Sequence, residues 1–243
     1  MNDSLLQSLM QLFGIIARID GISSTERDIV VLFLKQDLHL AEVDKHIAIF
    51  DQYVEHQHHA LEKKDGEAKR TSLNSVKIFK ICIDINKELD QHQKVLVLIR
   101  LLEFAYSSSN NISEQESEFI AIVVEAFAIP AEEYKLLQSF VENEIEKVRN
   151  IENLLIISAK KEPSSRLKHL PFADLSEGVK IPTVKIPSVG MYAFRIIGQQ
   201  DLLLNGKPVL PGKIYILIKG SALRSGTGQP IYYNDIIRAF FNF

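Results

Sequence analysis

The stretch "RIDGISSTERDIV", residues 18–30, brings an Asp, a Gly and a Glu together around one turn. The same letters suit a small metal loop or the end of one helix and the start of the next. A second stretch, "SSNNISEQESEFI" at residues 108–120, separates the two readings. At an offset of 90 residues (110 − 20), Asp20 aligns with Asn110, Gly21 with Asn111, Ile22 with Ile112, Ser23 with Ser113 and Glu26 with Glu116. A helical stripe precedes and follows each copy, which is the pattern of repeated helix–turn–helix units.

Both copies spell S-x-x-E before an apolar helix. In such a capping box the Ser oxygen accepts the orphan N–H three residues on, and the Glu reaches back to the cap's own N–H. Gly21 and Asn111 follow the preceding helix, where the left-handed conformation favours Gly and Asn. Ile22 and Ile112 are placed as hydrophobic staples. Capping therefore explains every position except Asp20, whose carboxylate faces the negative end of a helix dipole. Asp20 is either solvated, bonded to a neighbouring N–H, or shares a cation with Glu26. The spacing is not that of an EF-hand, whose ligands run over about 12 residues, and the second copy has neutral Asn110. Capping is the preferred reading.

The chain has 243 residues, 46% of them hydrophobic and 24% charged, as expected of a globular protein. Twenty-eight basic against 31 acidic side chains give a net charge of -3, which does not favour a nucleic-acid partner. The single cysteine, Cys82, excludes an internal disulfide and lies in apolar "VKIFKICIDI", the setting of a buried inert thiol. The N-terminus lacks the basic region and cleavage site of a secretory signal, and no run reaches the roughly 18 apolar residues of a membrane span. A cytoplasmic protein without direct membrane insertion is expected. The apolar "IIRAFFNF" at the end suggests a fragment of something longer.

From Leu5 to about Val148 the apolar residues recur at helical spacing. Seven helices are predicted, with Val76, Phe79, Ile83 and Leu89 forming the stripe of the fourth and Pro130 opening the seventh. Residues 56–72, "HQHHALEKKDGEAKRTS", read as an exposed loop. Beyond residue 150 the texture changes. "ENLLIISA" is a candidate strand, "KKEPSSRLKHLPFADLSEG" reads as linker, and short β-branched or aromatic runs follow. Asn205-Gly206 marks a hairpin, since a type I′ turn wants positive φ at both central positions. The expected organisation is an all-α domain over 1–149 with an internal helix-pair repeat, a linker over 150–175, and a small β-rich connector over 176–243 ending in a short helix.

The helix ending in "ARIDG", the following "ISSTE", the seven helices and the second copy resemble the tellurite-resistance TerB-like family over roughly residues 1–148. That resemblance implies an acidic metal-binding patch at the helix turns, carried here by Asp20, Glu26 and Glu116, with Asn110 as a departure. "NGKPVLPGKIYILIKGSALR" with "PIYYNDIIRAF" resembles the segment before the nucleotide-binding domain in large bacterial ABC transporter ATP-binding proteins that begin with a TerB-like domain. This second resemblance implies a downstream ATPase, which would hold the ATP, and a membrane domain of the same polypeptide as partners. It also implies a location at the cytoplasmic face of the inner membrane.

Within the chain itself no ATP site is expected. Gly220, Gly226 and Gly228 are not followed by the Lys of G-x-x-x-x-G-K-[ST]. Lys219, Ser221 and Arg224 are read as a turn at a strand end in preference to an anion site. His56, His58 and His59 have no Cys nearby to complete a zinc site and read as surface residues, while His39, His46, His92 and His169 are isolated. Ser221 has no G-x-S-x-G elbow and no later His. Pro230 precedes a short helix capped by Asn234 or Asp235. Its neighbours Tyr232, Tyr233, Phe240, Phe241 and Phe243 form a candidate contact patch.

The leading expectation is a non-catalytic accessory or regulatory region of an ABC transporter ATP-binding protein, needing no cofactor of its own beyond a possible divalent cation. The alternatives are a standalone TerB-like protein of metal or tellurite stress response and an enzyme using carboxylates. Thermal melts with and without Ca²⁺, Mg²⁺ or Zn²⁺ test the cation. With capping alone, wild type, Asp20→Asn and Glu26→Gln gain no more than about 2 °C from any metal. A larger gain confined to wild type would establish a site.

Overall fold

The computed structural model describes residues 3–17, 22–37, 43–62, 67–107, 110–143, 151–161, 166–226 and 228–241, with backbone alone for 56–62 and 67–73. The chain divides into two compact units, Met1–Tyr134 and Lys135–Phe243.

The first unit is helical: α1 (Asp3–Ile16), α2 (Ser24–Leu32) continued by a π-helical turn over Phe33–Asp37, α3 (Asp44–Glu62), α4 (Glu67–Glu88), α5 (Gln91–Ser107) and α6 (Glu114–Ala126). A seventh helix, α7 (Ala131–Val141), begins in this unit and runs into the second. Helix α1 packs against α3 and α4, α4 against α6, and α2 against α5. The aromatic centre is Phe13, whose ring lies 5.6 Å from Phe33 and 5.5 Å from Phe104, with Phe50 6.1 Å from Phe104. The Phe104 contacts are edge-to-face, which sets the positive ring edge against the negative face.

Two readings of this unit change. Helix α3 continues to Glu62 and α4 starts at Glu67, so helix occupies most of the expected loop at 56–72. Ala, Leu, Glu, Lys and Arg are good helix formers even without an apolar stripe. Three of the four residues in the stripe assigned to the fourth helix also lie on the wrong face, while the fourth, Leu89, is buried. Val76, Phe79 and Ile83 are 53%, 50% and 43% exposed, whereas Ile78, Ile81, Cys82, Ile85 and Leu89 are buried. Helix α4 is apolar on two faces, and periodicity alone does not rank them.

The second unit holds β1 (Leu154–Ser158), β2 (Lys168–Pro171), β3 (Lys180–Ile186), β4 (Met191–Phe194), β5 (Leu202–Leu204), β6 (Lys207–Pro208), β7 (Tyr215–Leu217), β8 (Ala222–Ser225), β9 (Ile231–Tyr232) and α8 (Tyr233–Phe241). One sheet has the order β2-β1-β3-β4-β7 and the other β6-β5-β8-β9. Among the described residues only the β1–β2 pair is parallel. The segment read as a linker over 150–175 is thus structural. Leu155 and Ile157 of β1, with Phe172 and Leu175 beyond β2, enter the buried core. The expected hairpin is present: Leu204 pairs with Lys207, and Asn205 and Gly206 have φ of 51° and 81°, as type I′ geometry needs.

The change of unit also falls earlier than residue 149, inside α7. Arg195, buried just past β4, donates from Nη1 to the Val141 carbonyl at 2.9 Å and lies 5.6 Å over the Phe140 ring. It thereby satisfies a carbonyl at the end of α7, where a cation also complements the helix dipole.

Gly14 sets the closeness of α1 and α3, since a Cβ there would lie 2.8 Å from the Tyr53 Cβ. Gly14→Ala gains the helix propensity of Ala, about 1 kcal/mol, but the overpacking costs about 1–3 kcal/mol. A net loss is expected, lowering the melting temperature by roughly 2–4 °C per kcal/mol. An unchanged or higher melting temperature would contradict this helix contact.

Candidate functional site

Both acidic turns of the helical unit form capping boxes. The Ser23 amide donates to Glu26 Oε2 at 2.7 Å and the Glu26 amide to Ser23 Oγ at 3.2 Å. In the second turn the Ser113 amide donates to Glu116 Oε2 at 2.7 Å and the Glu116 amide to Ser113 Oγ at 3.3 Å. Glu26 and Glu116 are buried because each carboxylate lies back over its own helix start. The left-handed residue of the second turn is Asn110, with φ of 54°, rather than Asn111. Asp20 and Gly21 lie outside the described residues, as do Phe243, His39 and the side chains of His56, His58 and His59. Among the described residues no three His, Cys, Asp or Glu side chains converge in a metal-binding group.

Two further buried charges stand on α5, where Arg100 Nη1 meets Glu103 Oε2 at 2.5 Å. Such a pair is costly to break from one side. Burial pushes the Cys82 thiol up to about 12, which keeps it protonated and a poor nucleophile.

The glycines near residue 220 make the expected turn. Ser221 is buried and its amide donates to the Ile218 carbonyl at 2.9 Å. Ser221 Oγ accepts the Ile218 amide at 3.0 Å, and Gly220 has φ of 91°. The positive φ suits glycine at the third position of such a turn.

The C-terminal aromatics separate into anchors and an outer surface. Tyr192 of β4 has its ring 6.0 Å from Tyr233 and 5.3 Å from Phe240, and Ile236 and Phe240 are buried. Tyr232 and Phe241 face outward, 54% and 66% exposed, with Lys185 Nζ 4.7 Å over the Phe241 ring. Asp235 accepts the Tyr232 amide at 3.1 Å from the first turn of α8. Its role is that of an acidic residue reaching back over the helix start.

Beside α8 is a cleft of about 460 Å³ lined by Lys161, Lys168, His169, Leu170, Asp235, Arg238 and Ala239. Parallel pairing sets Ile156 of β1 opposite His169 of β2, which brings His169 Nε2 to 3.0 Å from Ser158 Oγ. Ser158 Oγ also donates to the Lys160 carbonyl at 2.9 Å. A hydroxyl has one proton, so Ser158 accepts from His169 and the imidazole is no base for it. The pair positions the ring and does not activate a nucleophile. Sequence reasoning left His169 isolated and missed Lys161, Lys168 and Arg238. Their grouping depends on a strand pairing and a helix contact that local spacing does not encode.

No family model, curated protein or solved structure matches the chain.

Burial lowers the His169 pKa from 6.5, against a hydrogen bond at Ser158 and with help from the Lys161 charge. The unfolded chain then binds this proton more tightly than the folded one. Stability from this group is present above about pH 6.5 and is lost as the pH falls through the folded pKa. Melting followed between about pH 7.5 and 5 should therefore show a decline that His169→Gln reduces. An identical profile in the variant would contradict the assignment.

Proposed function

We propose that the chain is a non-catalytic accessory region of an ABC transporter ATP-binding protein, in which a TerB-like helical unit is joined to a β-rich connector that contacts the ATPase. The carrying observation is α8: its inner side is fixed by Ile236, Phe240 and Tyr233 against Tyr192, while Tyr232 and Phe241 are presented outward. Rigid exposed aromatics beside a cation are favoured at protein interfaces. The resemblance of "NGKPVLPGKIYILIKGSALR" and "PIYYNDIIRAF" to the segment before such an ATPase supplies the partner.

In this reading the helical unit is a helix-pair repeat whose two turns are held by Ser23–Glu26 and Ser113–Glu116. The reading places the region on the cytoplasmic side of the inner membrane. It is compatible with the absence, among the described residues, of a helix long and apolar enough to cross a membrane.

Purified residues 1–243 are expected to show no saturable ATP binding by calorimetry at micromolar concentration, and the reading frame is expected to encode G-x-x-x-x-G-K-[ST] downstream. In the full polypeptide, Tyr232→Ala with Phe241→Ala should change the ATPase rate. ATP binding by residues 1–243 or a frame without that motif would refute the proposal. An ATPase rate indifferent to the double variant would refute the assigned contact.

A further inference from the structure

The cleft beside α8 draws its cations from three places: Lys161 after β1, Lys168 on β2 and Arg238 on α8. Two of them have structural duties. Lys168 Nζ donates to the Phe240 carbonyl near the end of α8, and Arg238 stands in the last turn of that helix, where a cation complements the dipole. Lys161 has no comparable duty among the described residues. Neither Lys161 nor Arg238 forms an ion pair among the described residues. Asp235, three residues before Arg238 on the same helix, is turned to the Tyr232 amide instead.

Among the described residues the recess is lined by three cations and one carboxylate, Asp235, so this lining carries a positive excess. Like charges raise one another's energy, and the effect is larger beside a low-dielectric wall such as Leu170 and Ala239. An anion entering the recess removes that repulsion. The His169 ring adds to the same preference. Its Nε2 is committed to Ser158, and a neighbouring anion favours the imidazolium, which then also donates from Nδ1.

We propose that this cleft binds a phosphomonoester group, with Arg238 and Lys161 as its principal charge partners and Lys168 and His169 at its wall. A guanidinium presents paired donors matched to phosphate oxygens, and lysines add point charges from other directions. The cleft is of the size that holds small molecules, and the net charge of -3 does not suggest a polyanion track. The site is independent of the transporter reading above, since it rests on the β-rich unit alone.

The same chemistry comes from a soluble metabolite or a lipid headgroup, so the test has two arms on the full 243-residue chain. Glycerol 3-phosphate is titrated by calorimetry. Cosedimentation is measured with phosphatidylcholine vesicles with and without phosphatidic acid. Lys161→Gln and Arg238→Gln are each compared with Lys207→Gln, at the Asn205-Gly206 hairpin. Saturable binding in either arm that falls at least about tenfold in both cleft variants, and holds in Lys207→Gln, supports the site and identifies its source. Binding in neither arm overturns the proposal. So does binding that either cleft variant leaves unchanged, or that Lys207→Gln weakens equally.

Discussion

The β-rich unit depends on one strand. β1 pairs in parallel with β2 on one side and antiparallel with β3 on the other, and its Leu155 and Ile157 are fully buried. Removing an interior strand would leave two unpaired edges, each with unsatisfied amides and carbonyls. The same pairing places Ser158 against His169, and α8 packs on β1 and β2. The fold of this unit and its charged cleft therefore have a common origin. A substitution that weakens the burial of Leu155 or Ile157 acts on the cleft through the strand pairing without touching any lining residue.

The dependence on β1 also explains which features were legible in the sequence. Local signals read correctly where local chemistry decides. The boxes at Ser23–Glu26 and Ser113–Glu116 join residues three apart, and the Asn205-Gly206 turn needs only its own two φ angles. "KKEPSSRLKHLPFADLSEG" misled because Pro, Ser and charge are equally at home in a linker and beside a short edge strand. β2 is four residues long and half exposed, so it carries no alternation strong enough to announce itself. Its identity is fixed by β1, and contacts of that kind are invisible to a window moving along the chain.

Helix α4 shows a different limit. Its sequence carries apolar residues on two faces, and the face at Ile78, Cys82 and Ile85 is the one that is buried. An apolar stripe identifies the buried side of a helix only when the opposite side is polar. When both sides are apolar, packing partners choose between them, here α1 and α6. The exposed Val76, Phe79 and Ile83 are then the remainder of a choice made elsewhere in the fold, and the sequence has no means of stating it.

The cleft beside α8 illustrates how hydrogen-bond direction, and not proximity alone, defines what a Ser–His pair does. Ser158 and His169 stand at hydrogen-bond distance, as a nucleophile and its base would. The direction of the proton decides otherwise. With the Ser158 hydroxyl spent on the Lys160 carbonyl, the imidazole must donate, and it has no proton to take. Cations and a donating imidazole grouped around one recess suit the proposed anion site, whereas a base for a nucleophile would need the opposite proton direction.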